Sequence, residues 1–220
     1  MNVMNAVPLN AMSLRAVVHV VDDDESVRDS LARLLEFAGH QVRTHACAGD
    51  FLLTWPIETP ACVIVDVRMP GPSGMELQLA LSQRHDAPPV VLMSGYGDIP
   101  MSVLAMKRGA VDFLTKPIER EPLLAAVDSA IQRSRDLQAA RHRRRAARER
   151  FALLTVRERT VFEQVALGRL NKQIASTLCT CERTVKAHRA NVMQKMQAHS
   201  VAELVRIAIQ LEADAEAVTT

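Results

Sequence analysis

Between Val17 and Ile131 the chain alternates short apolar runs with stretches whose apolar residues recur at helical spacing. The runs predict strands at Val17–Val21, Gln41–Thr44, Cys62–Asp66, Val90–Ser94 and Asp112–Thr115. In the stretches between them, Val27, Leu31, Leu34 and Leu35 share one helical face, and Val103, Leu104 and Met106 recur in the same way. Five strands joined by crossover helices imply a parallel sheet covered on both faces, an α/β architecture.

The pattern changes after Leu123. A helical stretch runs on to Arg150, its apolar periodicity fades past Ile131, and it ends in RHRRRAARER. This reads as a basic helical linker whose arginines form a solvated face, with supplementary phosphate contacts as the alternative. From Phe151 onward every signal is helical. Thr155 and Glu158 form a capping box, and Gly168 stops the helix that carries Val161, Phe162, Val165 and Ala166. Further helices are predicted over Asn171–Leu178, Glu182–Met196 and Val201–Leu211, the last with Leu204, Ile207, Ala208 and Leu211 on one side. Short helices with such turns suit a small all-α helix-turn-helix variant. The predicted organisation is a loose N-terminal tail (1–16), an α/β domain (17–134), a basic linker (135–150) and the helical domain (151–216).

Charge divides along the same line. Residues 1–134 hold 11 Lys+Arg against 16 Asp+Glu, a net −5, and residues 135–220 hold 16 against 9, a net +7. A basic second half points to nucleic acid as its partner. The four cysteines (Cys47, Cys62, Cys179, Cys181) are scattered and do not resemble a disulfide framework. No apolar run approaches the roughly 18 residues of a membrane helix, and no signal-peptide pattern is present, so the expected location is the cytoplasm.

The candidate chemistry lies at strand ends. Asp22 and Asp23 follow the first run, Asp66 ends the third, Ser94 ends the fourth and Lys116 follows the fifth. In an open parallel sheet these ends converge on one crevice. Three carboxylates about 4 Å apart repel by about 4 kcal/mol per pair at an effective dielectric of 20, so a cation belongs among them. Oxygen-only ligands favour Mg²⁺, while Ser94 and Lys116 can hold a phosphoryl oxygen.

VVHVVDDDES, VDVRMPGPSG and LMSGYGDIPMSVLAMKRGAVDFLTKP, in this order and spacing, resemble the receiver domain of two-component response regulators. The resemblance implies a doubly wound, flavodoxin-like five-stranded sheet. It also implies Asp66 as phosphoacceptor, and Mg²⁺ bound by Asp22, Asp23, Asp66 and the backbone carbonyl of Arg68. Ser94 and Lys116 would hold the phosphoryl group, Lys116–Pro117 would be cis, and Phe113 would occupy the aromatic switch position, where Tyr is also common.

The segment LTVRERTVFEQVALGRLNKQIASTLCTCERTVKAHRANVMQKMQAHSVAELVRIAI resembles the LuxR-type helix-turn-helix domain, so the whole chain is similar to the NarL/FixJ group, with FixJ-like features. Helix Glu182–Met196 carries Arg183, Lys186, His188, Arg189 and Lys195, with Val185, Val192 and Met196 inward, and such a helix can enter the major groove. By resemblance, Lys186, Ala187 and Ala190 face base edges, and Lys172, Arg183, Thr184 and His188 contact phosphates. A surface or core role for His188 competes with that contact. Cys181 and Thr180 depart from the usual pattern of a Ser or Thr cap preceded by an aliphatic residue. Cysteine caps poorly, at a cost of about 1 kcal/mol. A thiol at a helix start can also be acidified, which raises redox sensing or metal binding with His188 as a lesser reading.

The resemblance implies a transcription regulator rather than a turnover enzyme. Its expected partners are a sensor histidine kinase, promoter DNA, a second copy on phosphorylation and RNA polymerase. Two alternative readings compete with it. A regulator that dimerises without phosphorylation would leave the acidic site idle. A haloacid-dehalogenase-like phosphatase would use the D-x-D-x-S of Asp22–Ser26, yet it explains neither Asp66 with RMPGPSG nor the basic helical half.

Overall fold

The computed structural model describes residues 16–54, 59–84, 86–95 and 99–218. The predicted tail falls outside the described residues except for Ala16, which is buried in the core beside the first strand.

Five strands form one parallel sheet: β1 (Val17–Val21), β2 (Gln41–His45), β3 (Ala61–Asp66), β4 (Val90–Ser94) and β5 (Asp112–Thr115), in the order β2-β1-β3-β4-β5. The strands match the predicted runs, with one residue added at the end of β2 and one at the start of β3. Buried parallel strands are apolar on both faces, which is why the runs are continuous. α1 (Glu25–Phe37), α2 (Ala48–Leu52), α3 (Gly74–Ser82), α4 (Ile99–Lys107) and α5 (Arg120–Ala152) cover the sheet.

Alternation along the strands divides the core in two. Val18, Val20, Cys62, Ile64, Val91 and Met93 pack with Leu31 and Leu35 of α1 and Leu123 and Val127 of α5. Val21, Val63, Val65 and Leu92 pack with Phe51 of α2, Leu77 and Leu81 of α3 and Ala105 of α4. The chain leaves β1 toward β2 and returns on the other side as β3. The strand order therefore reverses at β1/β3, where such sheets open a crevice at their carboxyl ends.

A polar cluster lies inside the second core. His19 of β1 and His45 of β2 are both buried and stack with ring centroids 5.2 Å apart, Nδ1 of His19 lying 2.9 Å from Nε2 of His45. Phe51 meets both rings edge-on. The pattern reading did not foresee this cluster.

The basic stretch is helical throughout: α5 runs 33 residues without a break, and the chain divides into two compact units after Gln138, within it. The second unit adds α6 (Val156–Ala166), α7 (Asn171–Thr177), α8 (Glu182–Met196) and α9 (Val201–Val218). α9 extends past the predicted Leu211, and α7 stops one residue short of Leu178. The Thr155–Glu158 capping box forms, and Gly168 at φ +77 ends the turn after α6. The core of this unit gathers Val161, Phe162 and Val165 of α6, Ile174 of α7, Val185, Val192 and Met196 of α8 and Leu204 of α9. No helix among the described residues is long and apolar enough to cross a membrane.

Candidate phosphoryl site and DNA-facing helix

Each strand end brings its residue to the same edge because all five strands run one way. Asp66 is the last residue of β3 and Ser94 the last of β4, while Asp22 and Lys116 lie one residue beyond β1 and β5. Backbone hydrogen bonds continue past the strands and hold the loops: Val67 N–H to Met93 O at 2.8 Å and Lys116 N–H to Ser94 O at 2.8 Å. Asp24 caps α1 by accepting from Ser26 and Val27, which turns the chain directly after the acidic pair. Arg28 reaches back to donate to the Asp22 carbonyl at 2.7 Å.

Lys116 is the centre of the charge arrangement. Its Nζ lies 2.6 Å from Asp22 Oδ2 and 2.8 Å from Asp66 Oδ1, and both carboxylates are almost fully buried. Burial pulls the ammonium's pKa down, and the hydrogen bonds and charges of Asp22 and then Asp66 outweigh it, so the net shift is upward. The second oxygen of each carboxylate is held by backbone: Asp24 N–H donates to Asp22 Oδ1 at 3.0 Å and Arg68 N–H to Asp66 Oδ2 at 2.8 Å. Ser94 is buried at the same edge, and Asp23 is exposed. The Lys116–Pro117 peptide is cis. Phe113 is half-buried against the α2–α4 side of the core.

Among the described residues no three His, Cys, Asp and Glu side chains are already drawn together as a cluster able to hold a metal. Two of the three predicted carboxylates are gathered by Lys116, and the third faces solvent. Two buried carboxylates sharing one ammonium leave net negative charge. An oxygen-only set of this kind suits Mg²⁺, which accepts one or two carboxylates and keeps several waters.

Gly74 opens α3 against this loop. A Cβ at that position would overlap the Asp66 carbonyl oxygen and press on Val65 Cγ2. Only glycine lets the helix start this close to the Asp66 backbone. The PGPSG segment belongs to the receiver-like motif, but the packing reason for its last glycine lies in the fold and not in the motif.

In the second unit, α8 divides cleanly. Val185, Val192 and Met196 are buried, whereas Arg183, Lys186, Ala187 and Ala190 recur at helical spacing on an exposed stripe, with Thr184 exposed beside them. Lys172 on α7 is exposed, and His188 is half-buried.

Two charges assigned to the exposed side of this helix are used elsewhere, which corrects that part of the reading. Arg189 donates to Asn171 Oδ1 at 3.0 Å, tying α8 to the start of α7. Lys195 lies 2.7 Å from Glu158 Oε2, tying α8 to α6. Glu158 is thereby held to a pKa of about 2, first by Lys195 and then by the Thr155 N–H.

Cys181 occupies the cap position of α8 and makes no capping hydrogen bond. Its sulfur instead lies 3.2 Å from Thr184 Oγ1.

Comparison with known proteins places both halves. Residues 18–128 match the response regulator receiver domain, and residues 152–208 match the bacterial regulatory proteins of the luxR family. The chain is 45% identical to the transcriptional regulatory protein FixJ of Azorhizobium caulinodans over 192 residues, covering 87% of this chain and 91% of that protein. It is 41% identical to nodulation protein W of Bradyrhizobium diazoefficiens, over 89% of this chain and 86% of that one. Among solved structures, the response regulator StyR is similar with a TM-score of 0.76 and 43% identity, over 89% of this chain and 99% of that chain. These matches account for both the α/β half and the basic helical half, the second of which the phosphatase pattern left unexplained.

Proposed function

Because the chain belongs to the two-component response regulators that join a receiver domain to a LuxR-type DNA-binding domain, we propose that Asp66 is the residue that accepts the phosphoryl group. The family consists of DNA-binding regulators, not turnover enzymes, and phosphorylation-driven activation is standard within it. The observation that carries the assignment is the bridge of Lys116 between Asp22 and Asp66, 2.6 and 2.8 Å away, at the carboxyl edge of the sheet.

In transfer from a sensor histidine kinase, an Asp66 oxygen attacks phosphorus in line, its bond to phosphorus forms and the donor's bond to phosphorus breaks. Lys116 already touches the attacking carboxylate, so its ammonium is placed to follow the charge onto a phosphoryl oxygen. Ser94 Oγ donates to another oxygen from the end of the adjacent strand. Receiver domains typically bind Mg²⁺ at this position. Here Asp22, Asp23, Asp66 and the Arg68 carbonyl would hold it, and when bound it offsets negative charge on the transferring group.

The acyl phosphate brings about −1.5 to −2 charge, on the scale of phosphomonoesters. Moving a two-state equilibrium from 1:99 to 99:1 needs about 5.5 kcal/mol. Two or three charge-assisted hydrogen bonds at about 1.5–3 kcal/mol each supply that. Ser94 moves toward the phosphoryl group, Phe113 turns inward, and the surface around α4 and α5 is remodelled. A second copy then associates, promoter DNA is bound through α8, and RNA polymerase is the downstream partner.

The test is incubation with Mg²⁺ and a small phosphodonor, followed by intact mass and association state for wild type and Asp66→Asn. One added phosphoryl group that requires both Mg²⁺ and Asp66, with dimer formation, is the expected result. Labelling that survives in Asp66→Asn, or dimer formation indifferent to a beryllofluoride mimic, would remove the assignment.

A further inference from the structure

The sequence holds four cysteines, and their environments differ sharply. Cys62 is fully buried in β3, and burial pushes its pKa up to about 12. Cys47 is half-buried at the start of α2, where its sulfur accepts from Asp50 N–H at 3.4 Å. Cys179 and Cys181 are both exposed, two residues apart, on the turn that leads into α8.

That turn is tightly specified. Cys179 adopts φ +50, and Thr180 N–H donates to Ala175 O at 3.0 Å. The Cys181 carbonyl then accepts the first α8 hydrogen bonds, from Thr184 at 3.1 Å and Val185 at 3.2 Å. The Cys181 sulfur faces the Thr184 hydroxyl. Arg183 and Thr184, both assigned to phosphate contact by the resemblance, lie two and three residues after this thiol on the exposed first turn. The Cys181 pKa is lowered, chiefly by the Thr184 hydroxyl. The Cys179 sulfur lies 4.0 Å from Ser176 O, and an exposed, acidified thiol two residues from a second exposed thiol is the arrangement that oxidants select.

We propose that Cys181 and Cys179 form a peroxide-oxidisable thiol pair that disengages α8 from DNA. The Cys181 sulfur attacks one oxygen of hydrogen peroxide. The O–O bond breaks, an S–O bond forms, and the second oxygen departs as hydroxide that takes up the thiol proton to become water. Sulfur is oxidised by two electrons to a sulfenic acid as peroxide is reduced. The Cys179 sulfur then attacks Cys181, the S–O bond breaks, and a second water leaves with the Cys179 proton. One peroxide and two thiols give one disulfide and two waters.

A disulfide fixes its dihedral angles, and forming it turns the two sulfurs away from Ser176 O and Thr184 Oγ1 toward each other. Across a single intervening residue this constrains the turn whose φ and hydrogen bonds now set the start of α8. The first turn moves, taking Arg183 and Thr184 with it. Neither Cys62 nor Cys47 offers a comparable exposed pair.

The inference rests on reading α8 as the helix that enters DNA, and the experiment separates the two. The full chain is titrated into a labelled mixed-sequence duplex at low salt, before and after hydrogen peroxide, with peptide mass mapping of the cysteines. The expected result is a Cys179–Cys181 disulfide, DNA binding weakened about tenfold, equivalent to about 1.4 kcal/mol, and recovery on adding dithiothreitol. Cys181→Ser binds DNA without peroxide, since serine caps better than cysteine, and is indifferent to peroxide. In Cys179→Ser the modification stops at the sulfenic acid. No disulfide between these residues, or a disulfide with unchanged affinity, overturns the proposal. Failure of untreated protein to bind the duplex would instead count against α8 as the DNA helix, while the mass map would still decide the thiol pair.

Discussion

Lys116 and His19 show opposite ways of placing an ionisable side chain inside a protein. Lys116 keeps its charge because two carboxylates offset its desolvation. His19 has no such partner, and its Nε2 is buried without a hydrogen bond. Burial, followed by the neighbouring His45 and Arg43, lowers its pKa from 6.5 to about 4. His45 is shifted the same way by burial, with Asp50 acting against the shift and Arg43 with it. A histidine that stays neutral in the fold but protonates when unfolded destabilises the fold as pH falls. The His19 contribution is fully present above about pH 6.5, declines as the unfolded state takes up its proton, and is exhausted near pH 4, a loss of about 3 kcal/mol. Denaturant unfolding at pH 7, 5.5 and 4 measures it, and His19→Phe is expected to flatten the slope.

At the scale of elements, contacts made by single residues fix how helices dock. Lys195 joins α8 to α6 through Glu158, whose side chain is only 5% exposed. Lys195→Met removes the ion pair while Thr155 still holds the carboxylate through the capping box, and a loss of about 1 kcal/mol is expected for one charged hydrogen bond at a partly exposed lysine. A matching loss of midpoint in urea, with an unchanged slope, is the expected readout. Gly74 does the equivalent work for α3. Gly74→Ala forces the helix start and the Asp66 carbonyl apart, at about 1–3 kcal/mol for overpacking. Phosphoryl uptake measured by intact mass is expected to slow in that variant, because Asp66 loses its placement. A variant as stable and as readily labelled as wild type would show that the loop yields without effect.

Over the whole chain, an acidic half of net −5 precedes a basic half of net +7. Affinity for duplex DNA is therefore expected to fall steeply with salt, because bound lysines and arginines release counterions. Lys172→Gln removes one assigned phosphate contact and is expected to reduce the salt slope by about one while weakening binding to all sequences alike. Anisotropy titrations across a salt series give both quantities. An unchanged slope would take Lys172 out of the interface.

Much of this was legible along the chain because it depends on local pattern. A strand buried on both faces is a continuous apolar run, so all five strands were readable, and with them the strand ends that carry Asp22, Asp66, Ser94 and Lys116. The inward face of α8 was readable from the spacing of Val185, Val192 and Met196. The stacking of His19 on His45 was not, because the pair is 26 residues apart and meets only through the register of β1 with β2. Nor could the sequence separate Arg189 and Lys195 from the charges that face solvent. Periodicity assigns a residue to a side of its helix. Whether a long side chain there reaches water or a neighbouring helix depends on distances that only packing decides. The same limit applies to Gly74, whose absent Cβ matters because the Asp66 carbonyl oxygen occupies that space.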